Sequence, residues 1–153
     1  MKLHELKQQS DNEDFKLNEI YTQFTKLLIE LEKRELADEI VVSINQDIDE
    51  INSMTTIKKE LRKQIKLRLQ RIIKLLEKEV KLVPRNYYRN MWLVLGMAAF
   101  GLPMGVAFGT SLGDMAYIGL GLPIGMAIGQ GVGDGMDKKA MKEGRQLDVE
   151  IKY

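Results

Sequence analysis

Apolar residues in the first eighty positions recur every third or fourth residue. Leu17, Ile20, Phe24, Leu27 and Leu31 are spaced 3, 4, 3 and 4; Ala37, Val41, Ile44, Ile48 and Ile51 are spaced 4, 3, 4 and 3. A 3.6-residue period puts each set on one helical stripe. A phase slip separates them, between Leu31 and Ala37. Neither Gly nor Pro interrupts this stretch, and Ser10 with Glu13 has capping-box spacing, so the pattern predicts one helix over 11–51. The run Asn52-Ser53-Met54-Thr55-Thr56 predicts a break, since small polar residues favour turns. A second stripe, Ile57, Leu61, Ile65, Leu69, Ile73, Leu76 and Val80, predicts a helix over 57–82. Pro84 ends or kinks it by removing a donor and restricting Val83.

The pattern changes after Pro84. From Asn90 to Gly113 there are 24 residues without a charge, and after Asp114 a further 19 from Met115 to Gly133. A bilayer span needs about 20 mainly apolar residues, so spans are predicted over 91–113 and 115–133. Arg85, Tyr87, Tyr88, Arg89 and Trp92 precede the first, and Lys138 and Lys139 follow the second. Amphipathic rings interleaved with cations are what a membrane interface selects.

Charge sharpens this division. The net charge is only +1, yet residues 1–56 carry 6 basic and 13 acidic side chains, and 57–90 carry 12 and 3. Two helices of opposite charge with a short connection predict an antiparallel hairpin or coiled coil. Its second helix would be roughly 40 Å long, a rod whose thin core favours pairing with another copy. The basic flank of Lys58, Arg62, Lys66, Lys74, Lys78 and Lys81 reads as a solvated face or as a contact for anionic lipid headgroups. No stacking aromatics lie between Ile57 and Val83, which argues against nucleic acid.

The sequence has no Cys and one His, His4. Thiol catalysis, disulfides and zinc-thiolate sites are excluded, and no catalytic residue, metal or cofactor is expected. The first residues lack the apolar core of a secretory signal, so residues 1–83 are expected to stay in the cytoplasm.

The apolar half repeats itself with a period of 20. GLPMGVAFGTSLGD (101–114) aligns with GLPIGMAIGQGVGD (121–134), with eight of fourteen positions identical. Glycines fall every fourth residue, at Gly101, Gly105, Gly109 and Gly113, then at Gly121, Gly125, Gly129 and Gly133. On a helix this spacing leaves one flat face, against which another backbone can pack closely in lipid. These tandem segments, with the aromatic-basic border and the charged stretch from Asp137 to Leu147, resemble the small bacterial glycine-zipper membrane proteins. The resemblance covers about 86–147. It implies an oligomeric membrane hairpin and no reaction.

Pro103 and Pro123 each free the carbonyl four residues back and predict kinked spans, with a place near helix first turns, and so shorter helices, as the other reading. Asp114 is expected to mark the turn and cap the second span, with an ion path as the other reading. Cations flank both spans and the turn has none, so positive-inside places both termini in the cytoplasm. The predicted fold is all-α: a cytoplasmic hairpin (1–83), a membrane hairpin (84–136) and a cytoplasmic tail (137–153). The expected function is a homo-oligomeric scaffold or partner-binding component of the cell membrane, with a channel or pore-former as the alternative.

Overall fold

The stripes read from the sequence are the buried faces of three helices. The computed structural model describes residues 2–8 and 14–152, and the chain divides into two units, 1–84 with 147–153, and 85–146. In the first unit α1 (Phe15–Glu32), α2 (Asp38–Ser53) and α3 (Lys58–Val80) follow in order. Leu17, Ile20, Phe24, Leu27, Leu31, Val41, Ile44, Ile48 and Ile51 are buried as the spacing predicts; on α3, Leu61, Ile65, Leu69, Ile73 and Leu76 are buried, while Ile57 is exposed and Ile72 takes a core position.

The helix expected over 11–51 is two helices. Leu31 and Ala37 are six residues apart, about 600° of rotation, so a continuous helix would turn its second stripe roughly 120° off the first. Breaking at 33–37 lets α1 and α2 both pack on α3. Asp14 caps α1, its Oδ1 accepting from the Leu17 N–H at 3.0 Å. The capping box expected at Ser10 and Glu13 lies outside the described residues. The expected two-helix rod is therefore a three-helix unit with a wider core. The acidic and basic flanks do meet: Asp47 of α2 accepts from Arg68 and Arg71 of α3 at 2.9 and 3.1 Å.

The carboxyl-terminal residues, expected as a charged tail, complete this unit. β2 (Gln146–Glu150) pairs with β1 (Val83–Arg85). Leu147, Val149 and Ile151 are buried and Asp148 and Glu150 exposed, the two-residue alternation of a half-buried strand. The Asp148 N–H donates to Glu30 at 3.3 Å and the Lys152 N–H to Gln23 at 3.1 Å, so the strand is tied to α1. The hydrogen bond from Lys33 holds the Glu30 carboxyl below its ordinary pKa, against an opposing effect of burial, and the Asp148 N–H adds to it. A depressed carboxylate stabilises the fold above its unfolded pKa, about 4.3, and that contribution is lost as pH falls through the lower folded value. Glu30→Gln should therefore reduce thermal stability at pH 6 and leave it unchanged well below pH 4, as followed by circular dichroism. An equal loss at both pH values would mean that the amide substitution acts through something other than charge.

The second unit is an apolar helical hairpin. α4 (Tyr87–Gly96), a π-turn (Met97–Gly101) and α5 (Leu102–Leu112) run on as one helix, and a short 3-10 turn (Met115–Tyr117) leads into α6 (Ile118–Lys142). Where a kink was expected near Pro103, the helix carries this π-turn, in which the Leu102 N–H reaches back five residues to Met97, and Pro103 stands in the first turn of α5. Pro123 sits within a continuous α6. Asp114 caps the 3-10 turn, its Oδ1 accepting from the Ala116 N–H at 2.8 Å, as expected of a turn marker.

Candidate functional site: the glycine face of the apolar hairpin

Two rows of glycine face each other across the hairpin. Gly101, Gly105 and Gly109 on one arm and Gly121, Gly125, Gly129 and Gly133 on the other are all buried. A Cβ built on Gly121 would meet the backbone of Gly101 and Gly105; on Gly125, that of Gly96 and Gly101; on Gly129, that of Trp92 and Gly96; and on Gly133, that of Tyr88 and Arg89. All of these approaches except that of Gly129 to Gly96, at 3.2 Å, are closer than 3.0 Å, a separation that real Cβ atoms essentially never show. Gly105 meets the Ile118 backbone in the same way, and Gly109 lies against Met115 and Ile118. Backbone contact at this range is what small residues permit between apolar helices.

Two positions differ from the sequence pattern. Gly113, expected in the packing face, has nothing within 4 Å of an added Cβ and a φ of 71°, and it caps α5 in the left-handed region instead. The reason lies in its position one residue past the helix, where a Cβ would be strained. Gly96, which the fourfold rule passes over, joins the face against Gly125 and Gly129. It is five residues before Gly101, and the π-turn absorbs the extra residue so that both glycines point the same way.

The face ends in a charged residue. Gly121, Gly125, Gly129 and Gly133 are followed at the next fourfold step by Asp137, which is buried. Its Oδ1 accepts from the Tyr88 N–H at 3.1 Å and its Oδ2 from the Arg89 N–H at 2.9 Å. α4 lacks a capping side chain of its own, since Asn86 stands at its start with φ 58° and makes no such bond. Asp137 supplies from α6 the acceptors that the first N–H groups of α4 need, and its charge suits that helix end. Continuing the fourfold register past Gly133 would have found it.

The residues expected at a membrane interface divide. Arg85, Lys138 and Lys139 are exposed, and Tyr87, Arg89 and Trp92 are half-buried. Arg89 Nε stands 3.9 Å from Asp134, and Lys139 Nζ 4.0 Å from Glu143. Tyr88 is the exception. It is turned inward, with its ring edge-on to Tyr87 at 5.2 Å. Glu143 chiefly, with help from the Tyr88 hydroxyl, raises the Arg145 pKa above its ordinary value against the effect of burial.

Outside the glycine face the hairpin is apolar and open. Val94, Leu95, Phe100, Leu102, Val106, Leu112, Leu120, Met126, Ile128 and Val132 are exposed. The two helices, 87–112 and 115–142, are long and apolar enough to cross a membrane, and only 17% of the most apolar window of each is buried. A core helix of a water-soluble domain would bury most of that surface. The chain is thus a small helical unit carrying an apolar two-helix hairpin between its two short strands. No protein-family model, curated protein or solved structure matches this chain.

Proposed function

We propose that the chain is an integral membrane protein of the cell membrane, in which the hairpin of α4–α5 and α6 spans the bilayer and the three-helix unit works in the cytoplasm as a scaffold or partner-binding component. The observation that carries this reading is the hairpin's inside-out polarity: glycine and backbone meet within, and large apolar side chains face outward. Such a surface in water would be unstable as a monomer, whereas lipid tails cover it at no cost.

The small sheet supports the topology. β1 precedes the hairpin, β2 follows it, and the two strands pair. This pairing fits a hairpin whose two ends lie on one side, as two spans require, and Arg85, Lys138, Lys139 and Lys142 favour the cytoplasm as that side. In the helical unit Lys16, Lys59, Arg62, Lys63, Lys66 and Lys152 line one open groove together with Glu19 and Glu60, which stand 3.7 Å from Lys152 and 3.9 Å from Lys63; the cationic excess suits anionic headgroups.

The glycine spacing that led to an expectation of self-association is taken up within one chain. Self-association then falls to other surfaces of the molecule, such as the outward side chains of the hairpin. Backbone contact along the glycine face argues against a passage between its two helices, so we favour the scaffold over the pore.

After cell fractionation the protein should remain in the membrane pellet through an alkaline carbonate wash. Tags at residues 3 and 153 should both report cytoplasm and a tag at Met115 the opposite side. Release by carbonate would overturn the spanning reading in favour of a surface-bound one, and termini on opposite sides would mean that one arm does not cross.

A further inference from the structure

The amino-terminal segment is held along α2 by a repeated device. Asn45 Oδ1 accepts from the His4 N–H at 2.8 Å, while its Nδ2 donates to the Lys2 carbonyl at 2.9 Å. Seven residues on, Asn52 repeats the pattern: Oδ1 accepts from the Lys7 N–H at 2.8 Å and Nδ2 donates to the Glu5 carbonyl at 2.9 Å. Each amide brackets one leucine of the segment, Leu3 and Leu6, and both leucines are half-buried. Between the asparagines Asp49 takes the His4 ring, with Nδ1 2.9 Å from Oδ1 and 3.1 Å from Oδ2.

The register has a geometric basis. Seven residues of α-helix rise about 10.5 Å and return to nearly the same face. Three residues of extended chain cover about 9–10 Å. A helix with Asn at i and i+7 therefore meets the backbone of an extended peptide at every third residue. A primary amide carries a donor and an acceptor side by side, which is the complement of one peptide N–H and one C=O. The contacts to Asn45 and Asn52 read backbone alone, and sequence preference comes from the two leucine positions and the acid that faces His4. This is recognition of an extended strand by side chains of a helix in place of a sheet edge.

We propose that α2 is an extended-peptide binding groove, that residues 2–8 are its resident occupant, and that the same segment of a second copy enters it in trans and links the copies. The copy is the occupant the contacts favour, because the segment that complements the groove belongs to the chain itself. Exchange would keep every hydrogen bond and close on itself with two-fold symmetry. The inference does not depend on the membrane reading, since all these contacts lie within the amino-terminal unit.

The probe for the groove is a labelled synthetic peptide of residues 1–8, MKLHELKQ, titrated by fluorescence anisotropy against the full-length protein in mild detergent. The resident segment should keep binding to the natural chain weak. Leu3→Ser/Leu6→Ser, which loosens the resident segment, should bind at least tenfold more tightly. Adding Asn45→Ala/Asn52→Ala should abolish binding. So should a peptide N-methylated at the positions of His4 and Lys7, which tests the backbone donors without altering the protein. Failure of the loosened chain to bind, or binding that ignores N-methylation, overturns the groove. For exchange, the absence of natural cysteine allows two full chains to be mixed, one with His4→Cys and the other with Asp49→Cys. A heterodisulfide under mild oxidation, lost when the second chain also carries Asn45→Ala/Asn52→Ala, is expected. Peptide binding without that heterodisulfide overturns the second copy as the source.

Discussion

Gly121→Leu and Gly129→Leu are each expected to separate α6 from α4–α5 and to unfold the hairpin's packing in mild detergent. A Cβ alone at either position already falls within 3.0 Å of backbone on the opposite arm, Gly101 and Gly105 in one case and Trp92 in the other. Backbone cannot turn aside as a flexible side chain can, so the helices must move apart and lose contact along the whole face. Overpacking in cores costs typically 1–3 kcal/mol. With backbone as the obstacle, a loss of at least about 3 kcal/mol is expected for each leucine. Gly131 and Gly119 provide the contrast. They lie in the same helix with nothing within 4 Å of an added Cβ, and leucine there should be tolerated and should even raise helix propensity, by up to about 1 kcal/mol. Thermal unfolding by circular dichroism, with hydrogen exchange of the amides in 87–142, reads both outcomes. Equal tolerance at 121, 129 and 131 would mean that the glycine rows reflect composition and that something else closes the hairpin.

That contrast shows what the sequence carries about the site and what it does not. A fourfold glycine period can be read directly, because a helix converts it into a face without help from anything distant. Whether the face meets another arm of the same chain or another copy depends on the turn at Gly113-Asp114, and the period does not contain that information. Gly96 escaped because the fourfold rule assumes an unbroken α-helix, and the extra residue is absorbed by a π-turn just ahead of Pro103. Asp137 escaped because a charge after an apolar run reads as an exit to water, although its register with Gly133 places it on the packing face.

The helical unit was legible to a similar depth. The stripes on α1, α2 and α3 named most of its core. The slip between Leu31 and Ala37 was visible but had two resolutions, a continuous helix with a rotated stripe or a turn, and only packing on α3 decides between them. The alternation Leu147, Val149, Ile151 is a strand signal only five residues long, and its partner β1 is three residues long and about sixty positions away. Pairing over that distance is a tertiary fact. It is also what brings the two ends of the hairpin together.

Asp47→Ala is expected to produce the second large effect, confined to the helical unit. Asp47 is 1% exposed, and its Oδ1 accepts from both Arg68 and Arg71. Arg68, which also reaches Glu50, has a side chain only 17% exposed, whereas that of Arg71 is 62% exposed. Removing the carboxylate leaves the Arg68 guanidinium in a site that water hardly reaches. Breaking a buried pair from one side costs about 3–5 kcal/mol, and the lower end applies because Glu50 retains part of the pairing. Arg71→Ala, at a position where the freed charge and its partner are not both buried, should cost no more than about 1 kcal/mol. The pair is not an efficient source of stability: Asp47 Oδ2 and Arg68 Nε are buried without a hydrogen-bond partner. Replacing both ends together, as Asp47→Leu/Arg68→Met, removes both charges and both unsatisfied atoms, and it should recover most of the loss. Hydrogen exchange in α2 and α3 against that in 87–142 assigns the effect to its unit. A double substitution as damaging as Asp47→Ala alone would show that the ion pair contributes net stability, and that α2 is held on α3 by charge as much as by its apolar stripe.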